Sequence, residues 1–350
     1  MKVLIITDAW SPQVNGVVFT LGQTCRELTR MGHQVAVIQP GLFRSIPCPT
    51  YPEIRLSLTA PGSLKRLITQ YDPDAVHIAT EGPLGLAARH VLSRSGQSFT
   101  TAYHTRFPEY VHARARLPVA VTYRWLKRFH GAAVRTMVPT AGIRDDLIDR
   151  GFDASKVVVW PRGVDLDVFG PEPLSPGPSS GASVPPRAGR PVFLYAGRVS
   201  VEKNLDAFLG LDLPGEKWVV GGGPALDAMK ARYPAVRFFG PQPHDGLADY
   251  YRRADVFVFP SLTDTFGLVL LEAMACGCPV AALPARSTLD VLGASGAGVV
   301  DADLADACRR ALSIPRATAV AHARNFSWAA ATGIFLNHLQ PFRRESPLPA

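Results

Sequence analysis

Residues 254–280 read ADVFVFPSLTDTFGLVLLEAMACGCPV. The apolar run VFVF has strand length, and Leu268 to Met274 offers good helix formers before a second apolar start at Val280. Between them SLTDTFG carries turn and cap chemistry, which predicts a helix opening near Phe266 or Gly267. Strand, loop, helix, strand is the repeating unit of a parallel α/β sheet.

The same alternation runs outward in both directions. Before this stretch come KVLIIT, VVFTLGQTCRELTRMG, HQVAVIQP, AVHIA, GPLGLAARHVLSRSG and VVVWPRGVD, then PVFLYAGRVSVEKNLDAFL, EKWVVGGGP and VRFFGP; after it comes WAAATGIFLNHL. One stretch breaks the rhythm: residues 171–190, PEPLSPGPSSGASVPPRAGR, are too rich in Pro, Gly and Ser to bury a face and read as a linker or long surface loop. At 350 residues, two domains are a better expectation than one core. We therefore expect two Rossmann-like parallel-sheet domains, residues 1–170 and 191–325, facing a central cleft. Residues 326–350 are expected to form a helix and tail able to pack back on the first domain.

Composition narrows the function. A hydrophobic fraction of 47% with 19% charged residues is that of a globular protein. The apolar runs are far shorter than the roughly 20 residues that cross a bilayer. The first strand reaches Asp8 after a few apolar residues, so it reads as a buried strand and not a signal peptide, and the expected compartment is the cytoplasm. Five cysteines, an odd number without metal-ligand spacing, fit reduced thiols. A net charge of +8 attracts anions in general. The loop after the first strand, DAWSPQVNGVVFTL, lacks the G-x-G-x-x-G of a dinucleotide fingerprint, which argues against a nicotinamide or flavin oxidoreductase.

The predicted helix mouth is the first candidate site. Its leading N–H groups have no partner within the helix and sit at the positive end of the dipole, and Gly267 lets an anion come close. Asp264 precedes that mouth and Glu272 lies about 8 Å inside it at 1.5 Å per residue. A nucleotide sugar has the matching layout, a diphosphate between a hexose and a ribose whose vicinal hydroxyls a carboxylate can accept. The plainer reading makes Asp264 a cap and Glu272 a solvated acid. In YAGRVSVEKN, Arg198 and Lys203 follow a strand and a glycine, where cations can neutralise a diphosphate and its charge on departure; alone they would pass for surface charge.

Taken in order, AGRVSVEKN, GGGP, ADVFVFPS and DTFGLVLLEAMACGCPVAA resemble the family 4 glycosyltransferases of the GT-B fold, retaining enzymes that use nucleotide-diphosphate sugars. The likeness covers nearly the whole chain. It is nearest the branch with GDP-mannose-dependent mannosyltransferases and glycolipid synthases using UDP-sugars, so the resemblance implies a hexosyltransferase, mannose being favoured. It implies that Asp264 binds donor sugar hydroxyls and Glu272 the ribose, with Asp standing where Glu is commoner. It further implies that Phe266, Gly267 and Leu268 offer backbone N–H groups to the phosphates opposite Arg198 and Lys203. FFGPQPH around Gly240 would form the base pocket.

In the first domain the resemblance gives Gly16 a backbone approach to the diphosphate and makes His104, after a short strand, a contact of the donor sugar. A turn glycine and a structural histidine are the alternatives. Arg106 and Glu109 follow in the same loop, and Glu81 and Gly82 are placed nearer the acceptor. From 106 to 135 the chain is basic and aromatic, with Arg114, Arg116, Arg124, Lys127 and Arg128 among Tyr123, Trp125 and Phe129, a composition that can rest on anionic lipid or form a solvated face. No nucleic-acid-binding module accompanies it. Retention implies attack on the face from which the diphosphate leaves, with the leaving oxygen taking the acceptor proton. Neither a cofactor nor a metal is expected, because cations already surround the phosphates and no D-x-D motif lies in a plausible site. A catalytically silent sugar-nucleotide binding module is the competing reading.

Overall fold

Parallel strands need covered faces, and here apolar residues on both sides of each central strand supply them. A computed structural model describes residues 1–48, 51–172 and 189–342. It divides into two units, Met1–Pro161 with Trp328–Ala350, and Arg162–Ser327.

The first unit runs β1 (Lys2–Ile6), α1 (Gly16–Arg30), β2 (Gln34–Ile38), β3 (Ser45–Cys48), β4 (Tyr51–Ser57), α2 (Pro61–Tyr71), β5 (Ala75–Ile78), α3 (Pro83–Arg94), β6 (Thr100–Ala102), α4 (Phe107–Ala115), α5 (Val119–Gly131), β7 (Arg135–Val138), α6 (Ala141–Asp149) and β8 (Val157–Val159). Its parallel sheet has the order β2-β1-β5-β6-β7-β8, with β3 and β4 as a separate antiparallel pair. Side chains alternate across β1: Val3 and Ile5 join Leu21, Leu28 and Trp160, while Leu4 and Ile6 join Leu64, Leu84 and Leu92.

The second unit runs β9 (Val192–Ala196), α7 (Asp206–Leu209), β10 (Glu216–Val220), α8 (Leu226–Arg232), β11 (Arg237–Phe238), α9 (Leu247–Arg253), β12 (Val256–Phe259), α10 (Leu268–Ala275), β13 (Val280–Ala282), α11 (Arg286–Leu292), β14 (Gly298–Val300), α12 (Leu304–Ala311) and α13 (Arg316–Ala323). Its order, β11-β10-β9-β12-β13-β14, is the doubly wound one. On β12, Val256 and Val258 pack with Phe193 and Phe208, whereas Phe257 and Phe259 pack with Tyr251, Leu271 and Met274. Burying each such side chain stabilises the fold by about 1.5–3 kcal/mol.

The expected division at 170 falls earlier, at Pro161/Arg162. Residues 162–170 belong with the second unit because Val164 and Phe169 enter its core, the Val164 N–H donates to the Phe326 carbonyl at 3.1 Å, and Arg252 donates to the Gly170 carbonyl at 2.8 Å. Most of the 171–190 linker lies outside the described residues. The final helix α14 (Trp328–His338) belongs to the first unit, packs along α1, and sends Phe335 into the core beside Trp160 at 4.8 Å between ring centroids. No helix among the described residues is long and apolar enough to cross a membrane. Cys276 and Cys278 are buried free thiols.

Candidate functional site

Strand order in the second unit reverses between β9 and β12, and in doubly wound sheets ligands bind where the loops leave the carboxyl ends of such a pair. The loop after β9 carries Arg198 and Lys203, and the loop after β12 carries Asp264, Phe266 and Gly267. The two loops are tied together. Asn204 donates its side-chain amide to the Pro260 carbonyl at 3.1 Å, and the Thr263 hydroxyl donates to the Glu202 carbonyl at 3.1 Å. Between these ties Lys203 Nζ meets Asp264 Oδ1 at 2.5 Å. The other oxygen, Oδ2, is buried without a hydrogen-bond partner among the described residues, an acceptor left open.

The β9 loop is fixed from its other side by GGG, residues 221–223. Val199 N–H donates to the Gly222 carbonyl at 2.9 Å, and Gly197 N–H to the Val220 carbonyl at 2.9 Å. Gly221, at φ +134°, lies so close that a Cβ there would stand 1.9 Å from the Gly197 carbonyl oxygen. Only a glycine fits that approach. The Gly221 N–H reaches on to the Gly240 carbonyl at 2.8 Å, which joins the expected base-pocket segment to the same end of the sheet.

Helix α10 opens at Leu268, with Gly267 as its N-cap at φ +83° and no side chain capping the first turn. The expected opening at Phe266 or Gly267 is thus met within a residue, and the turn keeps N–H groups available to an anion. A Cβ at Gly267 would stand 2.9 Å from Phe259. Phe266 is buried, turning its ring edge toward Phe326, while Leu268 is half-buried.

Glu272 is not a solvated helix acid. It is 4% exposed, its Oε2 accepts from the Tyr251 hydroxyl at 3.1 Å, and His244 Nε2 lies 3.8 Å from Oε1. Burial pushes its carboxyl up to about 7, against the smaller opposing pull of the Tyr251 hydroxyl. His244 is edge-on to Phe169 at 5.0 Å. Neither His244, the last residue of the expected base-pocket segment FFGPQPH, nor Tyr251 was singled out from the sequence as a partner of Glu272; both reach it only through folding.

In the first unit Gly16 begins α1 and is exposed, but Asn15 Oδ1 already accepts from the Val17 and Val18 N–H groups at 3.0 Å each. The available approach is therefore through Gly16 itself. His104 follows β6, half-buried, with its ring edge-to-face on Trp160 at 5.6 Å. Arg106 pairs with Asp146 at 2.6 Å and Glu109 accepts from the Tyr123 hydroxyl at 2.8 Å, which gives both structural partners. Glu81 Oε1 lies 3.2 Å from Nε2 of the buried His130, whose Nδ1 is 2.9 Å from Thr101 Oγ1. The mouth of α3 is occupied by Asp8, whose carboxylate accepts from Leu84 N–H at 2.8 Å and Gly85 N–H at 3.1 Å. A Cβ at Gly82 would strike that carboxylate at 2.4 Å.

Comparison with known proteins matches both halves. The pattern described as Glycosyltransferase Family 4 matches residues 14–168, and that described as Glycosyl transferases group 1 matches residues 190–313. The chain is similar to a GDP-mannose-dependent alpha-mannosyltransferase of Mycobacterium tuberculosis, 28% identical over 83% of this chain and 81% of that protein. It is also similar to an alpha-monoglucosyldiacylglycerol synthase of Streptococcus pneumoniae, 28% identical over 81% of this chain and 71% of that protein. Among solved structures, the sucrose-phosphate synthase of Thermosynechococcus elongatus superposes with a TM-score of 0.77 at 19% identity, covering 96% of this chain and 97% of that one; this likeness shows the fold.

Proposed function

Because the chain belongs to the family 4 glycosyltransferases and has the two parallel-sheet units of the GT-B fold, we propose that it moves a hexose, mannose first, from a nucleotide-diphosphate sugar to a lipid or glycan acceptor with retention. The observation that carries this reading is the meeting, at one sheet reversal, of Lys203, Asp264 and the uncapped start of α10. A pyrophosphate lies on the N–H groups of the α10 mouth, held by Lys203 and Arg198. Lys203 then turns from Asp264 to the phosphate, and the freed carboxylate accepts the sugar hydroxyls. Glu272 takes the ribose hydroxyls, and the backbone around Gly240 takes the base. His104 positions the sugar, with Gly16 N–H on the phosphates.

The acceptor oxygen forms a bond to the anomeric carbon as the bond from that carbon to the phosphate oxygen breaks on the same face. The acceptor proton passes to the leaving oxygen, whose charge Lys203, Arg198 and the helix mouth stabilise. These cations take the place of a divalent metal, so no metal enters the reading. A lipid acceptor is supported by the name of the pneumococcal relative and by exposed Phe107, Leu117, Val121 and Trp125 on and around α4 and α5, a face suited to peripheral contact with the inner surface of an anionic membrane.

The test is transfer from GDP-mannose, UDP-glucose, UDP-galactose and UDP-glucuronic acid to lipid and glycan acceptors, with the product anomer assigned by NMR. Turnover of GDP-mannose to an α-linked product is expected, unchanged by a chelator. An inverted anomer, or a chelator loss above about tenfold restored by a divalent ion, overturns the mechanism. Donor binding without transfer across the panel would favour a silent binding module.

A further inference from the structure

Helix α5 is two-faced. Tyr123, Leu126 and Phe129 are buried, and Arg124, Lys127 and Arg128 are exposed. Between its outer face and the end of α6 lies a concavity of about 340 Å³ lined by Ala120, Tyr123, Arg124, Lys127 and Arg150.

Its cations are brought together by specific contacts. Arg150 lies over the Tyr123 ring at 4.0 Å from the centroid, and Tyr123 is itself anchored by donating to Glu109 at 2.8 Å. Lys127 reaches across from α5 so closely that a Cβ at Gly151 would stand 2.9 Å from Nζ; the glycine, at φ +81°, leaves that space. Three like charges sharing one hollow repel each other. The carboxylate at hand is Glu109, 4.0 Å from Arg150 and already accepting the Tyr123 hydroxyl. Among the described residues Arg124 and Lys127 have no hydrogen-bonded or ion-paired partner. Two forked guanidinium groups and an ammonium around one concavity match the oxygens of a phosphate group.

We propose that this hollow is a phosphate-binding site of the first unit, holding a phosphate ester on Arg124, Lys127 and Arg150. The ester comes either from an acidic phospholipid headgroup or from a soluble phosphorylated compound. The proposal does not depend on the donor chemistry, whose pyrophosphate loops belong to the second unit.

The experiment compares wild type, Arg124→Ala/Lys127→Ala, and Lys65→Ala/Arg66→Ala, which removes the same charge from the exposed face of α2. Calorimetry with inorganic phosphate and glycerol 3-phosphate forms one arm. Flotation with phosphatidylcholine vesicles, with and without phosphatidylglycerol, forms the other. The α5 pair should weaken binding by about tenfold or more while the α2 pair changes it less than about twofold. Binding in the calorimetric arm assigns a soluble ester, and binding confined to phosphatidylglycerol vesicles assigns a headgroup. Equal losses in both double variants would show diffuse charge and overturn the site, as would wild type binding in neither arm. Thermal shift with GDP-mannose and UDP-glucose on the same samples should be unaffected by the α5 pair, so a failed donor reading is seen separately.

Discussion

The two carboxylates on the stretch from the β12 loop into α10 are held in opposite ways. Asp264 is paired to Lys203, and its second oxygen is an open acceptor. Replacing Lys203 with Ala strands that carboxylate and removes the proposed phosphate cation together, so transfer should fall by about 10²–10³-fold while far-ultraviolet circular dichroism keeps the folded spectrum. Wild-type turnover in this variant would remove Lys203 from the site. Glu272 is buried, with the Tyr251 hydroxyl on Oε2 and the His244 ring 3.8 Å from Oε1, and its carboxyl is pushed up to about 7 from an ordinary value of 4.5. The folded chain thus favours the neutral acid: that stabilisation is full below about 4.5 and is lost as pH rises through about 7. In the proposed role, paired ribose hydroxyls donating to Glu272 favour its ionised form, so donor binding is expected to release a proton. Donor affinity should therefore fall by up to about tenfold per pH unit below about 7 and level off above it, by calorimetry from pH 5.5 to 8.5. Glu272→Gln should flatten that profile, weaken donor binding, and raise the apo melting temperature at pH 8 but not at pH 4. A wild-type profile that is already flat would separate Glu272 from the ribose.

Elements were legible where their signals are local. The strand and helix periods around 254–280 and the glycine before α10 lie within a few residues of one another, and the helix mouth follows from them. What decides the site's precision is not local. Gly221 follows one strand and Gly197 another, and nothing in GGGP says which carbonyl it will approach; that is set by the register of β9 against β10. His244 and Tyr251 are likewise ordinary residues of a loop and of α9 until packing brings them to Glu272. The limit at 162 was hidden for the same reason, since Val164 and Phe169 are apolar whichever core they enter. Gly221→Ala tests the backbone contact: a Cβ 1.9 Å from the Gly197 oxygen must displace the loop carrying Arg198 and Lys203. We expect destabilisation of about 3 kcal/mol or more by urea unfolding, with weaker donor binding. Wild-type stability would mean that the two loops part without cost.

At the scale of the whole molecule the chain path separates two kinds of dependence. Residues 162–327 build the second unit without interruption, whereas the first unit closes only when α14 returns and Phe335 enters beside Trp160 and His77. Phe335 is fully buried, so Phe335→Ala should cost the first unit about 3–5 kcal/mol. The second unit should withstand removal of everything else, because its sheet, both helix layers and the ties around Lys203 come from its own segment. It also holds the proposed contacts to base, ribose and pyrophosphate, and lacks only those of Gly16 and His104. A fragment of residues 162–327 should therefore fold and bind GDP or UDP within about tenfold of the full chain, yet gain little from an attached hexose and transfer none. Trp218, the one tryptophan in that segment and fully buried, supplies the readout. Blue-shifted emission with a cooperative urea transition is expected, shifted upward by the nucleotide; red, noncooperative emission would show that the segment depends on the rest of the chain, and a folded fragment blind to both nucleotides would take the donor site away from the second unit.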